Sequence, residues 1–198
     1  AYNNGVFTYD WGVNDSQITI TGLVSGQSIT DLDIPEFIDG KFVTKIGDNA
    51  FKDNTSITSV TLPDTIQEIG AWAFSGTSIT SLTTGSRCRH IGERAFYNCT
   101  QLQSVTINSE NDITIDTLAF CADRAIQSLN VKAKRMICGD NAFQDCSSMV
   151  FQTLPGTLNA SSGVFVGCSK LIDEHGTLPF TTGSLNNAQF NMASWDKI

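Results

Sequence analysis

The chain has 198 residues, with 12 Lys and Arg against 20 Asp and Glu, for a net charge of −8. That balance argues against general nucleic-acid binding, which rewards a basic surface. No run of about 18 apolar residues is present to span a bilayer, and Ala1-Tyr2-Asn3-Asn4-Gly5 lacks the charged and apolar regions of a signal peptide, so any export signal or anchor is expected outside this chain.

Residues 1–27 read as an N-terminal β cap. Phe7-Thr8-Tyr9 and Gln17-Ile18-Thr19-Ile20-Thr21 alternate like two antiparallel strands with Asn14-Asp15-Ser16 at the turn. They are expected to cover the open apolar end of a stacked array. Ile29, Leu32 and Ile34-Pro35, then Phe42, Val43 and Ile46, form a first coil.

From there an Ala-Phe pair recurs, at Ala50-Phe51, Ala73-Phe74, Ala95-Phe96, Ala119-Phe120 and Ala142-Phe143, degenerating to Val164-Phe165 and Gln189-Phe190, so the phenylalanines return every 22 to 25 residues. Such a period specifies a solenoid in which each coil contacts only its neighbours, and residues 28–169 are assigned to it. About six residues after each phenylalanine comes a strand template: Ile57-Thr58-Ser59-Val60-Thr61-Leu62, then Ile79 to Thr84, Leu102 to Ile107 and Ile126 to Val131. Its last two apolar positions alternate with polar ones, so each coil is predicted to give one strand to a parallel sheet on the concave side. The Ile-Gly-x-x-Ala-Phe segments are predicted to form single helical or 3₁₀ turns on the convex side, laying Ala and Phe inward as an aromatic spine.

Cys99, Cys146 and Cys168 each lie three residues after a repeat phenylalanine, the position of Asn54 in an earlier coil, and Cys138 takes the slot of Ile46, Ile69 and Ile91. A ladder of buried thiols is expected, with Asn54 buried alongside; Cys146 and Cys168 approach bridging distance, but side chains pointing the same way rarely reach disulfide geometry. No Cys-x-x-Cys or paired His motif is present, so no metal and no cofactor are expected. Residues 170–198, where Leu171 is followed by Asp173-Glu174-His175-Gly176, read either as a degenerate last repeat or as a C-terminal cap.

The series Ile-Pro or Leu-Pro, Ile-Gly-Asp-Asn-Ala-Phe (Ile46 to Phe51) and Ile-x-x-Val-x-Leu-Pro (Ile57 to Pro63), led by Phe37-Ile38-Asp39-Gly40-Lys41-Phe42, closely resembles the BspA-like leucine-rich-repeat family. The resemblance implies a leucine-rich-repeat solenoid on a bacterial or protist surface protein, extracellular or at the cell surface. Relatives of that kind act as adhesins for host extracellular-matrix proteins or other bacteria.

Three places could recognise a partner. The outward strand positions are Asp31, Asp33 and Pro35; Ser59, Thr61 and Pro63; Ser81, Thr83 and Gly85; Ser104, Thr106 and Asn108; Ser128, Asn130 and Lys132; Phe151, Thr153 and Pro155. This hydroxyl-rich face is either a reading groove or merely the Ser and Thr that suit exposed strands, and it lacks the Tyr, Trp and Arg of typical hot spots. Seven basic residues cluster at Arg87, Arg89, Arg94, Arg124, Lys132, Lys134 and Arg135, near His90, with Glu93, Glu110, Asp112, Asp116 and Asp123 close enough to neutralise them. Trp72 stands where other coils carry Asn49, Arg94 and Asn141, and is either an exposed anchor or packed across a neighbouring coil; Trp11 and Trp195 read as structural. Catalysis finds little support: His90 and His175 are the only histidines, and Cys168, the best nucleophile partner for His175, lies on the buried ladder. The sequons at Asn14, Asn54, Asn98 and Asn159 read either as N-glycosylation sites of a secreted eukaryotic protein or, since Asn54 is expected to be buried, as chance occurrences in a prokaryotic one. A monomeric, non-enzymatic module binding a protein or glycan partner through the concave face and adjoining basic edge is therefore expected. The alternative is a structural spacer in a larger surface protein.

Overall fold

The computed structural model describes residues 2–12, 16–155, 157–171 and the strand 188–191. Seventeen strands follow in order: β1 (Tyr2–Asn3), β2 (Phe7–Trp11), β3 (Gln17–Leu23), β4 (Asp31–Asp33), β5 (Phe37–Ile38), β6 (Lys41–Ile46), β7 (Ser59–Thr61), β8 (Glu68–Ile69), β9 (Ser81–Thr83), β10 (His90–Ile91), β11 (Ser104–Asn108), β12 (Ile113–Ile115), β13 (Ser128–Lys132), β14 (Met136–Cys138), β15 (Phe151–Thr153), β16 (Thr157–Ala160) and β17 (Ala188–Asn191). The predicted strand of each coil is present, and the rungs pair parallel and in register, Ser81 with Ser104, Ser104 with Ser128 and Ser128 with Phe151. This first sheet is interrupted, however. β4 pairs only β7, while β9, β11, β13 and β15 form a separate set, and a cleft of about 440 Å³ lined by Val60, Leu62, Asp64 and Thr83 opens where β7 and β9 diverge.

A second, longer sheet lies beyond what the strand template signals. It runs β1-β2-β3-β6-β8-β10-β12-β14-β16-β17, parallel from β3 to β16 and antiparallel at both ends. Its inward rungs are Ile20, Ile46, Ile69, Ile91, Ile115, Cys138 and Ala160, all buried.

The Ala-Phe segments close the third side of each coil, and they are not helical. Residues two before and two after each phenylalanine take the left-handed conformation: Asn49 and Asp53, Trp72 and Gly76, Arg94 and Asn98, Leu118 and Ala122, Asn141 and Asp145, Gly163 and Gly167. A right-handed helix cannot pass through such residues. What replaces it is a hydrogen-bonded ladder. The N–H groups of Trp72, Phe74 and Gly76 donate to Glu93, Ala95 and Tyr97 of the next coil, whereas those of Ala73, Ser75 and Thr77 donate three residues back within their own coil. The same alternation runs through the other coils. Ala73, Ala95, Ala119 and Ala142 and the neighbouring phenylalanines Phe74, Phe96, Phe120 and Phe143 are fully buried, as the inward reading requires. Their rings stack 5.0–5.3 Å apart and within a few degrees of parallel.

Close stacking explains the glycine before four of these turns, Gly47, Gly70, Gly92 and Gly139. A Cβ on Gly92 would lie 2.8 Å from the Ala71 nitrogen and 2.9 Å from the Gly70 carbonyl carbon, both rigid backbone atoms. Gly92→Ala is expected to destabilise by about 1–3 kcal/mol through overpacking; thermal melting checks this, and an unchanged midpoint would mean the coils can separate freely.

All six cysteines are buried and unbridged, Cys146 and Cys168 included. The Cys99, Cys146 and Cys168 thiols donate to the carbonyls of Phe74, Phe120 and Phe143 in the preceding coil at 3.1, 3.3 and 3.1 Å. This direction along the stack holds the sulfurs to the backbone. Burial pushes the Cys88 and Cys121 thiols up to about 11 and that of Cys138 higher still, so these thiols stay protonated and unreactive. Asn54, expected to be buried on this ladder, is instead half-exposed, its Oδ1 accepting the Ser56 N–H at 3.2 Å. The rung between Cys99 and Cys146 is filled by Asp123, whose side chain is fully buried.

Candidate functional site

The outward positions of the first sheet form two rows. Register places Ser81, Ser104 and Ser128 side by side, then Thr83, Thr106 and Asn130, with Asn108 beside Lys132 at the far end. Ser81, Thr83, Asn130 and Lys132 are exposed and Ser104, Thr106 and Ser128 half-buried. Ser59 and Thr61 lie on the separate pair of strands, where the Ser59 hydroxyl donates to Asp31 at 2.6 Å. The backbone of Phe151 continues the serine row beside Ser128.

Trp72 packs across coils. Lys52 lies 4.4 Å and Arg94 5.1 Å from its ring centre, and Tyr97 meets it edge-on at 5.8 Å. The ring is thus held by two cations, and a tryptophan at φ 61 carries a backbone cost of about 1–2 kcal/mol that this clasp offsets.

The basic cluster divides. Arg89 reaches Glu68 at 3.7 Å, Arg135 reaches Asp112 at 2.9 Å, Arg94 reaches Glu93 at 2.6 Å and Arg124 approaches Asp145 at 4.0 Å. The Arg87 charge acts on Asp64, whose carboxyl sits below the usual range chiefly because it accepts the Ser86 backbone and side-chain hydrogen bonds. Among the described residues, Lys132 and Lys134 have no carboxylate partner within 4.0 Å.

What the sequence did not bring together is the setting of Arg89 and Lys134. They lie over the outward face of the second sheet, whose rungs Glu68, His90, Thr114 and Ile137 are register partners. With Asn111 and Asp112 these residues line one open groove of about 550 Å³. Glu68 is further held by Lys45 at 3.6 Å, and His90 Nε2 lies 2.6 Å from Asp116. Asp116 stands where the other Ile-Gly-x-x-Ala-Phe segments carry Gly47, Gly70, Gly92 and Gly139. That departure from the repeat was the available signal for it; nothing local marks Glu68, Thr114 or Ile137. Among the described residues, no group of three metal-ligating side chains converges and no helix is long and apolar enough to cross a membrane. His175 and Trp195 lie outside the described residues, as does the Asn14 sequon.

Comparison with known proteins follows the same lines. The family described as BspA type leucine rich repeat region matches residues 24–150 in six copies. A leucine-rich repeat protein of Eubacterium ventriosum is 17% identical with a TM-score of 0.67, over 94% of this chain and 48% of its own length. A leucine rich repeat protein of T. pallidum is 17% identical with a TM-score of 0.49, over 75% of this chain and 90% of its own. A leucine rich cell surface protein of Faecalibacterium prausnitzii is 17% identical with a TM-score of 0.32, over 87% of this chain and 81% of its own. This chain thus spans about half of the Eubacterium protein. No curated protein matches its sequence.

Proposed function

This chain belongs to the BspA-type leucine-rich-repeat family, and from that premise we propose that it is a non-enzymatic recognition module, extracellular or at a cell surface, that engages a protein or glycan partner. The contact faces are the outward rows of the first sheet, Ser59, Thr61, Ser81, Thr83, Ser104, Thr106, Ser128, Asn130, Lys132 and Phe151, together with the basic edge of Arg87, Arg89, Lys134 and Arg135. The observation that carries this reading is the register: successive coils set hydroxyl and amide groups in straight rows on hydrogen-bonded backbone. Such pre-ordered groups lose little entropy on binding.

The test is binding of this chain to immobilised extracellular-matrix proteins and glycans across a salt series. Saturable binding that weakens with salt is expected, and reversing the charges of Arg89, Lys134 and Arg135 together weakens it further and flattens the salt dependence. Binding unaltered by that triple change would remove the basic edge from the proposal. A spacer role is favoured by one feature, the absence of Tyr, Trp and Arg from the two rows; it requires that no saturable partner be found.

A further inference from the structure

The groove on the second sheet differs in chemistry from the rows of the first. Its floor crosses four coils, from Glu68 through His90 and Thr114 to Ile137, a span of about 14 Å at the usual strand spacing. Its walls carry Arg89, Asn111, Asp112 and Lys134. At about 550 Å³ it falls in the range of small-ligand sites, roughly 300–1,000 Å³.

Its polar groups are mixed in a definite way. Glu68 and Asp112 are carboxylates already set in place by Lys45, Arg89 and Arg135, and a carboxylate's remaining lone pairs can accept from hydroxyl groups. The Asn111 amide and the Thr114 hydroxyl make no side-chain hydrogen bond among the described residues and can donate or accept. Among the described residues Lys134 has no carboxylate partner, and Arg89 spends one contact on Glu68 while keeping further N–H donors. Two cations therefore remain for an anionic group. The flanking carboxylates would repel a densely charged chain.

We propose that this groove binds a short acidic saccharide, its carboxylate held by Lys134 and Arg89 and its hydroxyls by Glu68, Asp112, Asn111 and Thr114. The apolar Ile137 side chain at the end of the floor offers a surface for a sugar ring face. The proposal rests on the recognition reading above and narrows it to one site and one ligand class.

The test titrates the whole chain, by calorimetry or by amide chemical shifts, with tetragalacturonate, with its methyl ester, and with a heparin tetrasaccharide. The ester keeps every ring hydroxyl and loses the charge. Saturable binding of tetragalacturonate is expected, weaker by about tenfold or more for the ester and for Lys134→Gln, since a charge-assisted hydrogen bond is lost in each. Asn111→Ala is expected to weaken acid and ester alike. Both side chains are exposed, so the variants keep the fold, and melting curves verify it. Equal binding of acid and ester, tighter binding of the heparin fragment, or an unaffected Lys134→Gln would each overturn the proposal. Saccharides that fail while an immobilised matrix protein still binds would overturn this inference and leave the recognition reading standing; silence from every ligand would overturn both.

Discussion

Asp123→Asn raises the stability of this protein at neutral pH, and the gain grows as pH rises. Asp123 fills the ladder rung between two buried thiols, fully shielded from water. Its Oδ1 accepts the Cys99 N–H at 2.7 Å, and its Oδ2 has no partner among the described residues. Burial holds the carboxyl well above its ordinary range, against the opposing pull of the Cys99 N–H. The sign follows from linkage. Below the unfolded value, about 3.9, both states are protonated and nothing is lost; as pH rises the unfolded chain ionises freely while the folded one does not, so the contribution declines until the raised folded value is passed. Each pH unit in that window costs about 1.4 kcal/mol. Asparagine keeps the acceptor for Cys99 and carries no charge to bury. Chemical denaturation at pH values of about 4.5 and about 7.5, both above the unfolded value, measures it: variant and parent lie close together at the lower pH and separate at the higher. A difference independent of pH would show that Asp123 is ionised in the folded state. Asp123→Ala should behave oppositely at low pH, since it strands the Cys99 N–H.

The largest loss is expected from Phe96→Ala, about 3–5 kcal/mol. The ring is fully buried, stacked at 5.3 Å on Phe74 and 5.1 Å on Phe120, so its removal leaves a cavity in the middle of the spine that rigid coils on both sides cannot fill. A solenoid transmits such a defect only to its neighbours, yet Phe96 is a neighbour in both directions. Denaturant melts of Phe96→Ala and Phe165→Ala compare the middle with the later coils; Phe165 stacks on Phe143 at 5.6 Å. A Phe96→Ala variant as stable as its parent would refute the spine.

The period of the phenylalanines made the spine and the first sheet legible, because each coil repeats two buried positions in a strand such as Val105 and Ile107. The second sheet is hidden from a sequence reading for a physical reason. Strands such as Glu68–Ile69 and His90–Ile91 are two residues long with one buried side chain, too short for alternation to register. Their pairing comes from stacking, which no local window contains. The left-handed turns were partly written in Asn49, Asn98, Asn141, Gly76 and Gly163, residues that tolerate that conformation. Trp72, Arg94 and Leu118 at equivalent places concealed the rule. The groove was least legible of all, since its floor takes one residue from each of four coils, and His90 meets Asp116 across 26 positions.

The alternating hydrogen bonds of the Ala-Phe turns have a bearing on how this molecule looks in solution. Along Trp72 to Thr77 every N–H is engaged, half of them by the next coil, although the segment is neither helix nor strand. Circular dichroism would count it as irregular coil. Amide hydrogen exchange would place the Trp72, Phe74 and Gly76 amides among the slowest-exchanging in the chain, because opening one of them means parting two coils at once.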